Sequence, residues 1–236
     1  MIRFPSRILV TGTDTGVGKT VVAAGLVAWL RARGVKALGW KPVESGTRET
    51  GRAEDAELLR DAAGLRTALP VVYPLGEPLA PVVAARRSGV AIVPAVLDVA
   101  LAAASTDMEV VVVEGVGGAL VEVAEGLMVA DLPSRWDLDV LVVAANRLGV
   151  LSHTLLTVEA VRRRGGRVLG VVLNTLHGDP PDLAERTNLE ELSRLLPVDV
   201  PVLAHGPWIS DGERRDPAAL AAAVEGLATA LQETIR

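Results

Sequence analysis

Short apolar runs alternate along the chain with longer stretches in which apolar residues recur at helical spacing. Continuous apolar runs bounded by turn residues are typical of strands buried on both faces of a parallel sheet. These runs predict strands at residues 7–11, 35–41, 109–113, 138–145, 167–173 and 200–203. The stretches between them predict helices at residues 19–33, 55–63, 95–104, 149–164 and 189–196, and from residue 217 onward.

Strands and helices follow one another without an internal repeat, a low-complexity tract or a linker. This order is typical of an α/β fold, in which crossover helices cover both faces of a mostly parallel sheet. We therefore predict one doubly wound domain over residues 1–236, with ligands bound beyond the carboxyl ends of the strands. Residues 43–54, 69–94 and 114–118 are predicted to be loops, the second of them around a short helix.

Composition excludes several classes of function. Half of the 236 residues are hydrophobic and the formal net charge is −5, so no basic surplus is present for binding the phosphates of nucleic acids. The absence of Cys excludes disulfides and thiolate metal sites. No stretch of about twenty apolar residues predicts a membrane span. No signal peptide is visible, and we therefore expect a cytoplasmic protein.

A glycine-rich segment, Gly12-Thr-Asp-Thr-Gly-Val-Gly-Lys-Thr20, joins the first predicted strand to the first helix. A P-loop at this place presents backbone N–H groups to phosphates, while its Lys reaches the terminal phosphates and its hydroxyl ligates Mg²⁺. Nucleotide contacts are predicted for Gly16, Val17, Gly18, Lys19, Thr20 and Val21. Thr13 replaces the first glycine of the strict motif. Asp14 stands where partition and septum-site ATPases carry a second, signature Lys, which argues against that regulatory class.

Lysine is rare in this chain, since only three of the 24 basic residues are Lys. Lys41 ends the second predicted strand, and Pro42 forces an extended exit that aims Lys41 into the same crevice as the P-loop. An ammonium is a compact charge that Arg does not replace beside a phosphate. A snorkelling surface side chain is the alternative interpretation. The scarcity of Lys favours a functional role for Lys41.

Several segments together resemble the dethiobiotin synthetase family, in that family's order and spacing over nearly the whole chain. They are Gly12–Thr20, Lys41-Pro-Val-Glu-Ser-Gly46, Glu54-Asp-Ala56, Glu114-Gly-Val-Gly-Gly118, Leu148-Gly-Val-Leu-Ser-His153, Asn174 and Pro207-Trp208. The resemblance implies an enzyme that joins CO₂ to 7,8-diaminopelargonic acid and closes the ureido ring of the biotin precursor, with ATP and Mg²⁺. One amine becomes a carbamate, the carbamate takes the γ-phosphoryl group, and the second amine closes the ring.

The resemblance also implies the roles of individual residues. Lys19 and Lys41 would neutralise and align the carbamate and the triphosphate, and Mg²⁺ would be held by Thr20, Asp55 and Glu114. Without the resemblance, we would interpret Asp55 as a helix N-cap. For Glu114 the alternative interpretation is an ordinary acid at a strand end. Nucleotide contacts are further expected from Asp55, Glu114, Gly115, Val116, Gly117, Asn174, Thr175, Pro207, Trp208 and Ile209, and a substrate contact from Ser45.

Asn174 is expected to read the adenine edge, because its amide offers both a donor and an acceptor. A turn-forming Asn is the alternative interpretation at that position. The family carries Asp at the next position, where this chain has Thr175. At that second position this chain departs from the family's pattern.

A homodimer with shared active sites is a further expectation from the resemblance. Gly149, Val150, Leu151 and Ser152 open a predicted helix whose free N–H groups would bind the substrate's tail carboxylate. In the family this helix start comes from the neighbouring subunit. An ordinary helix start within one chain is the alternative. A regulatory P-loop ATPase of the partition type is the alternative function.

Overall fold

The computed structural model of the protein describes residues 4–47, 51–67, 71–204 and 208–235. In chain order the strands are β1 (Arg7–Gly12), β2 (Ala37–Trp40), β3 (Val43–Ser45), β4 (Tyr73–Leu75), β5 (Val110–Gly118), β6 (Glu122–Ala124), β7 (Leu127–Met128), β8 (Asp139–Ala145), β9 (Arg167–Asn174) and β10 (Val202–Ala204). Six of them form a parallel sheet in the order β10-β9-β8-β1-β5-β2. The strand order reverses beside β1, which is where α/β folds of this kind bind ligands.

Helices cover both faces of this sheet, and nine are present in the described part of the chain. They are α1 (Lys19–Ala32), α2 (Glu54–Ala62), α3 (Pro81–Arg87), α4 (Pro94–Ala104), α5 (Leu132–Trp136), α6 (Val150–Arg163), α7 (Leu183–Leu195), α8 (Pro217–Ala223) and α9 (Glu225–Thr234). The apolar clusters place α1, α2, α8 and α9 on one face and α3 to α7 on the other. The predicted doubly wound α/β fold is confirmed.

α1 carries the P-loop into the middle of the core. All of its residues from Val21 to Leu30 are buried, because the helix is apolar around its whole circumference and is enclosed by the sheet and the helices of its own face. The sequence predicts that the helix ends at Arg33, just before Gly34. In the structure its last residue is Ala32. Among the described residues, no helix is long and apolar enough to cross a membrane.

The predicted loops at residues 43–54 and 114–118 are wrong. The first contains β3, which pairs with β4 in a separate two-stranded sheet; a three-residue strand is too short to show an alternating pattern. The second is the continuation of β5, because Gly118 remains paired with Gly12 beyond an irregularity in the ladder. The glycines that suggest a loop permit this distorted strand.

Two helical predictions also differ from the structure. α7 begins at Leu183, earlier than predicted, because Asp182 and Glu185 form a reciprocal capping box at its N-terminus. The single predicted C-terminal helix is interrupted at Val224, which separates α8 from α9. The antiparallel pair of β6 and β7 was not predicted.

Candidate active site

A cavity of about 1010 Å³ lies at the carboxyl ends of the central strands. The predicted site residues that line it are Gly16, Gly18, Lys19, Thr20, Val21, Lys41, Ser45, Asp55, Glu114, Val116, Gly117, Asn174, Thr175, Trp208 and Ile209. These residues come from separate parts of the chain. The fold brings them together because parallel strands place all their carboxyl ends at one edge of the sheet.

Some of the predicted site residues do not line this cavity. The side chain of Val17, within the P-loop, is buried in the apolar core. The carbonyl oxygen of Gly115 accepts a hydrogen bond from Lys41 Nζ at 3.2 Å. Pro207 lies outside the described residues. The helix start at residues 149–152 is not among the described residues that line the cavity of the same chain.

The P-loop has the backbone that its glycines allow. Gly16 and Gly18 adopt φ of +74° and +93°, a left-handed conformation that residues with a Cβ rarely adopt. Lys19 folds back over the loop, and its Nζ donates to the carbonyl oxygen of Asp14 at 2.8 Å. The Asp14 carboxylate lies 3.6 Å from the guanidinium of Arg147. The residue at the position of the signature Lys is therefore an acid, and it forms an exposed ion pair with Arg147.

Asn174 is packed against the P-loop at the end of β9. Its Nδ2 donates to the carbonyl oxygen of Val17 at 2.9 Å. A Cβ on Gly18 would lie 2.1 Å from that same nitrogen, so only glycine fits there. The Asn174 Oδ1 is buried and has no partner within the described structure. Val17 thus takes one of the two N–H groups of the amide, and the expected contacts with a nucleotide base are left to Oδ1 and the second N–H.

Four side chains at the end of the P-loop form what we call the Lys41 cluster, which consists of Thr20, Lys41, Asp55 and Glu114. Lys41 Nζ lies 2.7 Å from Glu114 Oε1 and 2.8 Å from Asp55 Oδ2. Thr20 Oγ1 lies 2.9 Å from Asp55 Oδ1 and 2.8 Å from Glu114 Oε1. Lys41 and Glu114 are almost fully buried. The position of Lys41 in the cleft, inferred from Pro42, is the one observed.

The donor set of the Lys41 cluster fits a hard divalent cation. The Thr20 hydroxyl has one proton and cannot donate to both carboxylates at once. The Glu114 Oε2 is buried without a hydrogen-bond partner among the described residues. Two carboxylates and a hydroxyl suit Mg²⁺, which usually completes its shell with water and phosphate oxygens. In the described part of the chain, no three His, Asp or Glu residues are grouped to hold a metal by themselves.

Burial and neighbouring charges shift the pKa values of these groups. Burial lowers the pKa of Lys41, but the carboxylates of Glu114 and Asp55 outweigh it and raise that pKa above its usual range. Burial raises the pKa of Asp55, and Lys41 reverses this, so the pKa of Asp55 falls below its usual value. Burial raises the pKa of Glu114 despite Lys41. Burial and the charge of Lys41 lower the pKa of Lys19 to about 8.

Glu44 is a site residue that sequence reasoning missed. It lies on β3 between Val43 and Ser45, is buried, and lines the cavity. Its carboxylate accepts backbone N–H groups of Asp55 at 3.1 Å and Ala56 at 3.3 Å. Burial and the charge of Asp55 raise the pKa of Glu44 to about 7. The one available signal was an acidic residue inside the Lys41–Gly46 segment, which alone does not distinguish a buried carboxylate from an exposed one.

We call the part of the cavity lined by Leu176, Trp208 and Ile209 its apolar end; the charged residues Asp211, Arg214 and Arg215 also line the cavity. Trp208 is 41% exposed and packs against the backbone of Gly178. An aromatic face beside a buried amide acceptor suits a flat heterocycle.

The parallel sheet, the P-loop and the Lys41 cluster define a protein of the P-loop nucleotide-binding class. A family model described as an AAA domain matches residues 6–215. The chain is similar in fold to a ParA family ATPase from Chlorobium tepidum TLS, with a TM-score of 0.54, 12% sequence identity and coverage of 98% of both chains. An identity this low shows a shared fold and nothing about a shared activity.

Curated relatives narrow the class to one family. The chain is 44% identical over 210 residues to the ATP-dependent dethiobiotin synthetase BioD of Anaeromyxobacter dehalogenans strain 2CP-1, covering 88% of this chain and 92% of that one. It is 39% identical over 225 residues to the enzyme of the same name from Aromatoleum aromaticum, covering 93% and 97%. The chain belongs to the ATP-dependent dethiobiotin synthetase family. The predicted family, the enzyme class and the role in biotin biosynthesis are thereby confirmed, with ATP as co-substrate.

Proposed function

We propose that this chain uses the residues of the cavity to convert 7,8-diaminopelargonic acid, CO₂ and ATP into dethiobiotin, ADP and phosphate, with Mg²⁺. Family membership supports the reaction. The assignment to particular residues rests on one observation: the Lys41 cluster adjoins the P-loop inside the cavity that Ser45 also lines. Phosphate-binding groups and a buried ammonium thus face the same space.

The triphosphate of ATP lies on the P-loop in this proposal. Backbone N–H groups from Gly16 to Val21 and the N-terminus of α1 bind its oxygens, and Lys19 turns from the carbonyl of Asp14 to the terminal phosphates. Thr20, Asp55 and Glu114 would hold Mg²⁺, which would neutralise the charge of the phosphates and orient them. The negative charge of the phosphates favours the charged form of Lys19, whose pKa is lowered to about 8 in their absence.

The chemistry begins when one substrate amine adds to CO₂ and releases a proton, which gives a carbamate. The ammonium of Lys41 stabilises this anion, and Ser45 donates a hydrogen bond to the substrate. A carbamate oxygen then attacks the γ-phosphorus, and the bond to the β-phosphate oxygen breaks, releasing ADP. The second amine attacks the carbamate carbon, loses a proton, closes the ring and expels phosphate.

The nucleotide base occupies the apolar end of the cavity in this proposal. Asn174 Oδ1, which is buried without a partner in the described structure, accepts a hydrogen bond from the exocyclic amine of adenine, while one Nδ2 N–H stays with Val17. The base is enclosed by Val116, Gly117, Thr175, Trp208 and Ile209. Val116 and Gly117 follow Glu114 and Gly115 on β5. Glu114 belongs to the Lys41 cluster, and the Gly115 carbonyl accepts a hydrogen bond from Lys41. A buried acceptor of this kind favours adenine over guanine, which presents a carbonyl oxygen at the same position.

The active site is completed by a second copy of the chain in this proposal. Gly149 begins α6 without a side-chain hydrogen bond to cap it in the described structure. Its neighbour Leu148 is 85% exposed, and Leu156 on the same helix is 62% exposed. The Val150 N–H already donates to the carbonyl oxygen of Arg147 at 3.1 Å, so we expect the N–H groups of Leu151 and Ser152 to bind the tail carboxylate of a substrate held by the partner subunit. A partner subunit packed on this helix would also bury the exposed side chains of Leu148 and Leu156.

The remaining expectations concern the whole chain. We propose that residues 1–236 form one domain that acts in the cytoplasm on small molecules, without a nucleic-acid or membrane partner. The net charge of −5 supports the absence of a nucleic-acid partner.

One experiment tests the proposed reaction. The purified protein is incubated with 7,8-diaminopelargonic acid, bicarbonate and Mg-ATP, and the products are followed by mass spectrometry and a phosphate assay. We expect a cyclic urea and one phosphate released for each ring formed. Phosphate release that does not depend on the diamine would contradict the assignment.

A further inference from the structure

Glu44 connects two parts of the cavity that are separate in sequence. It stands on β3, the segment that follows Lys41 and carries Ser45. Its two carboxylate oxygens accept N–H groups of Asp55 and Ala56 at 3.1 and 3.3 Å, in the first turn of α2. The strand expected to contact the substrate is therefore tied to the helix that presents Asp55.

The first turn of α2 has no cap of its own. Its N-cap residue is Ala53, whose side chain cannot accept a hydrogen bond. The first N–H groups of a helix lack partners within the helix, and a negative charge beside them is favourable. Glu44 supplies two acceptor oxygens to this turn from outside the helix, eleven residues before Asp55. It does from outside the helix what an Asp or Ser at the N-cap position usually does.

The rest of α2 is held independently of Glu44. Leu59 is buried and packs so closely on β2 that a Cβ on Gly39 would lie 2.5 Å from Leu59 Cδ2. Ala62 is buried as well. Removing the Glu44 carboxylate therefore frees the first turn while the helix stays attached to the sheet. The side chain that depends most on that turn is Asp55, which contacts Thr20 and Lys41.

We propose that Glu44 is a positioning residue that fixes the Asp55 carboxylate for Mg²⁺ binding. This inference rests on the proposed function, because it takes Asp55 to be a ligand of Mg²⁺. Glu44 acts through the backbone of Asp55 and does not touch the nucleotide. Its loss weakens metal binding and leaves the binding of metal-free nucleotide to the P-loop unchanged.

The test uses Mn²⁺ as a calorimetric probe, titrated into the full-length protein saturated with a non-hydrolysable ATP analogue. We expect Glu44→Ala to weaken Mn²⁺ binding by about tenfold or more, as loss of a group that orients a metal ligand commonly does. Glu44→Gln keeps one acceptor oxygen and is expected to recover part of that affinity. Analogue binding in EDTA should be unchanged in both variants.

Glu109→Ala is the matched control. Glu109 also accepts a distant backbone N–H, that of Lys36 at 2.8 Å, but at the opposite end of β5. Mn²⁺ affinity in Glu44→Ala that equals the wild type or the Glu109→Ala control would overturn the proposal. Should Glu44→Ala fail to fold, Glu44→Gln decides alone, and wild-type Mn²⁺ affinity in that variant overturns it.

Asp55→Asn separates this proposal from the proposed function. If Asp55→Asn binds Mn²⁺ as tightly as the wild type, the metal assignment itself fails. If Asp55→Asn loses Mn²⁺ binding while Glu44→Ala retains it, the metal assignment stands and only the positioning role of Glu44 is wrong.

Discussion

The side-chain amide of Asn174 donates a hydrogen bond to the carbonyl oxygen of Val17, which joins the end of β9 to the P-loop. Because Gly18 leaves no room for a Cβ beside this amide, the two segments are fitted to each other. The shape of the phosphate-binding loop thus depends on a residue 157 positions away in sequence.

Asn174→Asp is expected to weaken ATP binding. A carboxylate cannot donate to the Val17 carbonyl, and it repels both that oxygen and the phosphates. A lost hydrogen bond in a buried site costs about 1.5–3 kcal/mol, or roughly a tenfold to hundredfold rise in Kd. Calorimetric titration with ATP measures this. Asn188→Asp is the control, because Asn188 is also buried and donates to Asn146, but does not line the cavity. Equal ATP affinities in the two variants would contradict the role of Asn174.

Lys19→Ala is expected to lose nucleotide binding because it removes the ammonium of the P-loop. We expect a loss of about 2–3 kcal/mol, or roughly 30- to 150-fold in the Kd for ATP. The same calorimetric titration measures it, with Lys36→Ala as a control on an exposed Lys. ATP affinity that does not change in Lys19→Ala would show that the glycine-rich segment is not a P-loop.

Lys41→Arg is expected to fold and bind ATP, but its kcat should be at most about one hundredth of the wild-type value. The planar guanidinium keeps the charge but cannot occupy the position of an ammonium between Asp55 and Glu114, and small misplacements of a reacting pair cost rate steeply. Steady-state kcat gives the answer, with Lys36→Arg treated identically. Near-normal turnover would mean that Lys41 contributes only charge.

Glu114→Gln is expected to change the Mg²⁺ requirement selectively. The amide keeps the size of the side chain but lacks the charge that a divalent cation prefers. The Mg²⁺ concentration for half-maximal activity should rise by more than about tenfold, at a fixed saturating level of the diamine. Glu122→Gln, a change on β6, provides the comparison. An unmoved Mg²⁺ titration removes Glu114 from the metal site.

Subunit mixing tests the shared site. Lys41→Ala and Ser152→Glu are made in separate chains, each expected to be nearly inactive as a homodimer. Refolded together, they should form about half heterodimers, each with one intact site of two, and recover about a quarter of wild-type activity. Sites built within one chain recover nothing, and that outcome would refute the shared site.

Sequence reasoning located the parallel sheet because its strands are continuous apolar runs, and such runs are informative by themselves. It also predicted that Lys41 lies near the P-loop, because β2 and β1 end at the same edge of one sheet. It missed β3, β4 and Glu44 for a common physical reason. A three-residue strand and a carboxylate that caps a distant helix exist only through long-range contacts, which leave no local periodicity. The hydrogen bond from Asn174 to Val17 was missed likewise, because nothing nearby in sequence indicates it.

The burial of the tryptophans has an optical consequence. All four lie in the described part of the chain; Trp29, Trp40 and Trp136 are buried, whereas Trp208 is 41% exposed at the apolar end of the cavity. Emission that responds to quenchers in solution therefore comes mainly from Trp208. A base that stacks on this indole displaces water and shields it from iodide or acrylamide. The protein thus carries an intrinsic fluorophore in the wall of the cavity, and occupancy of the proposed base site can be followed without a label.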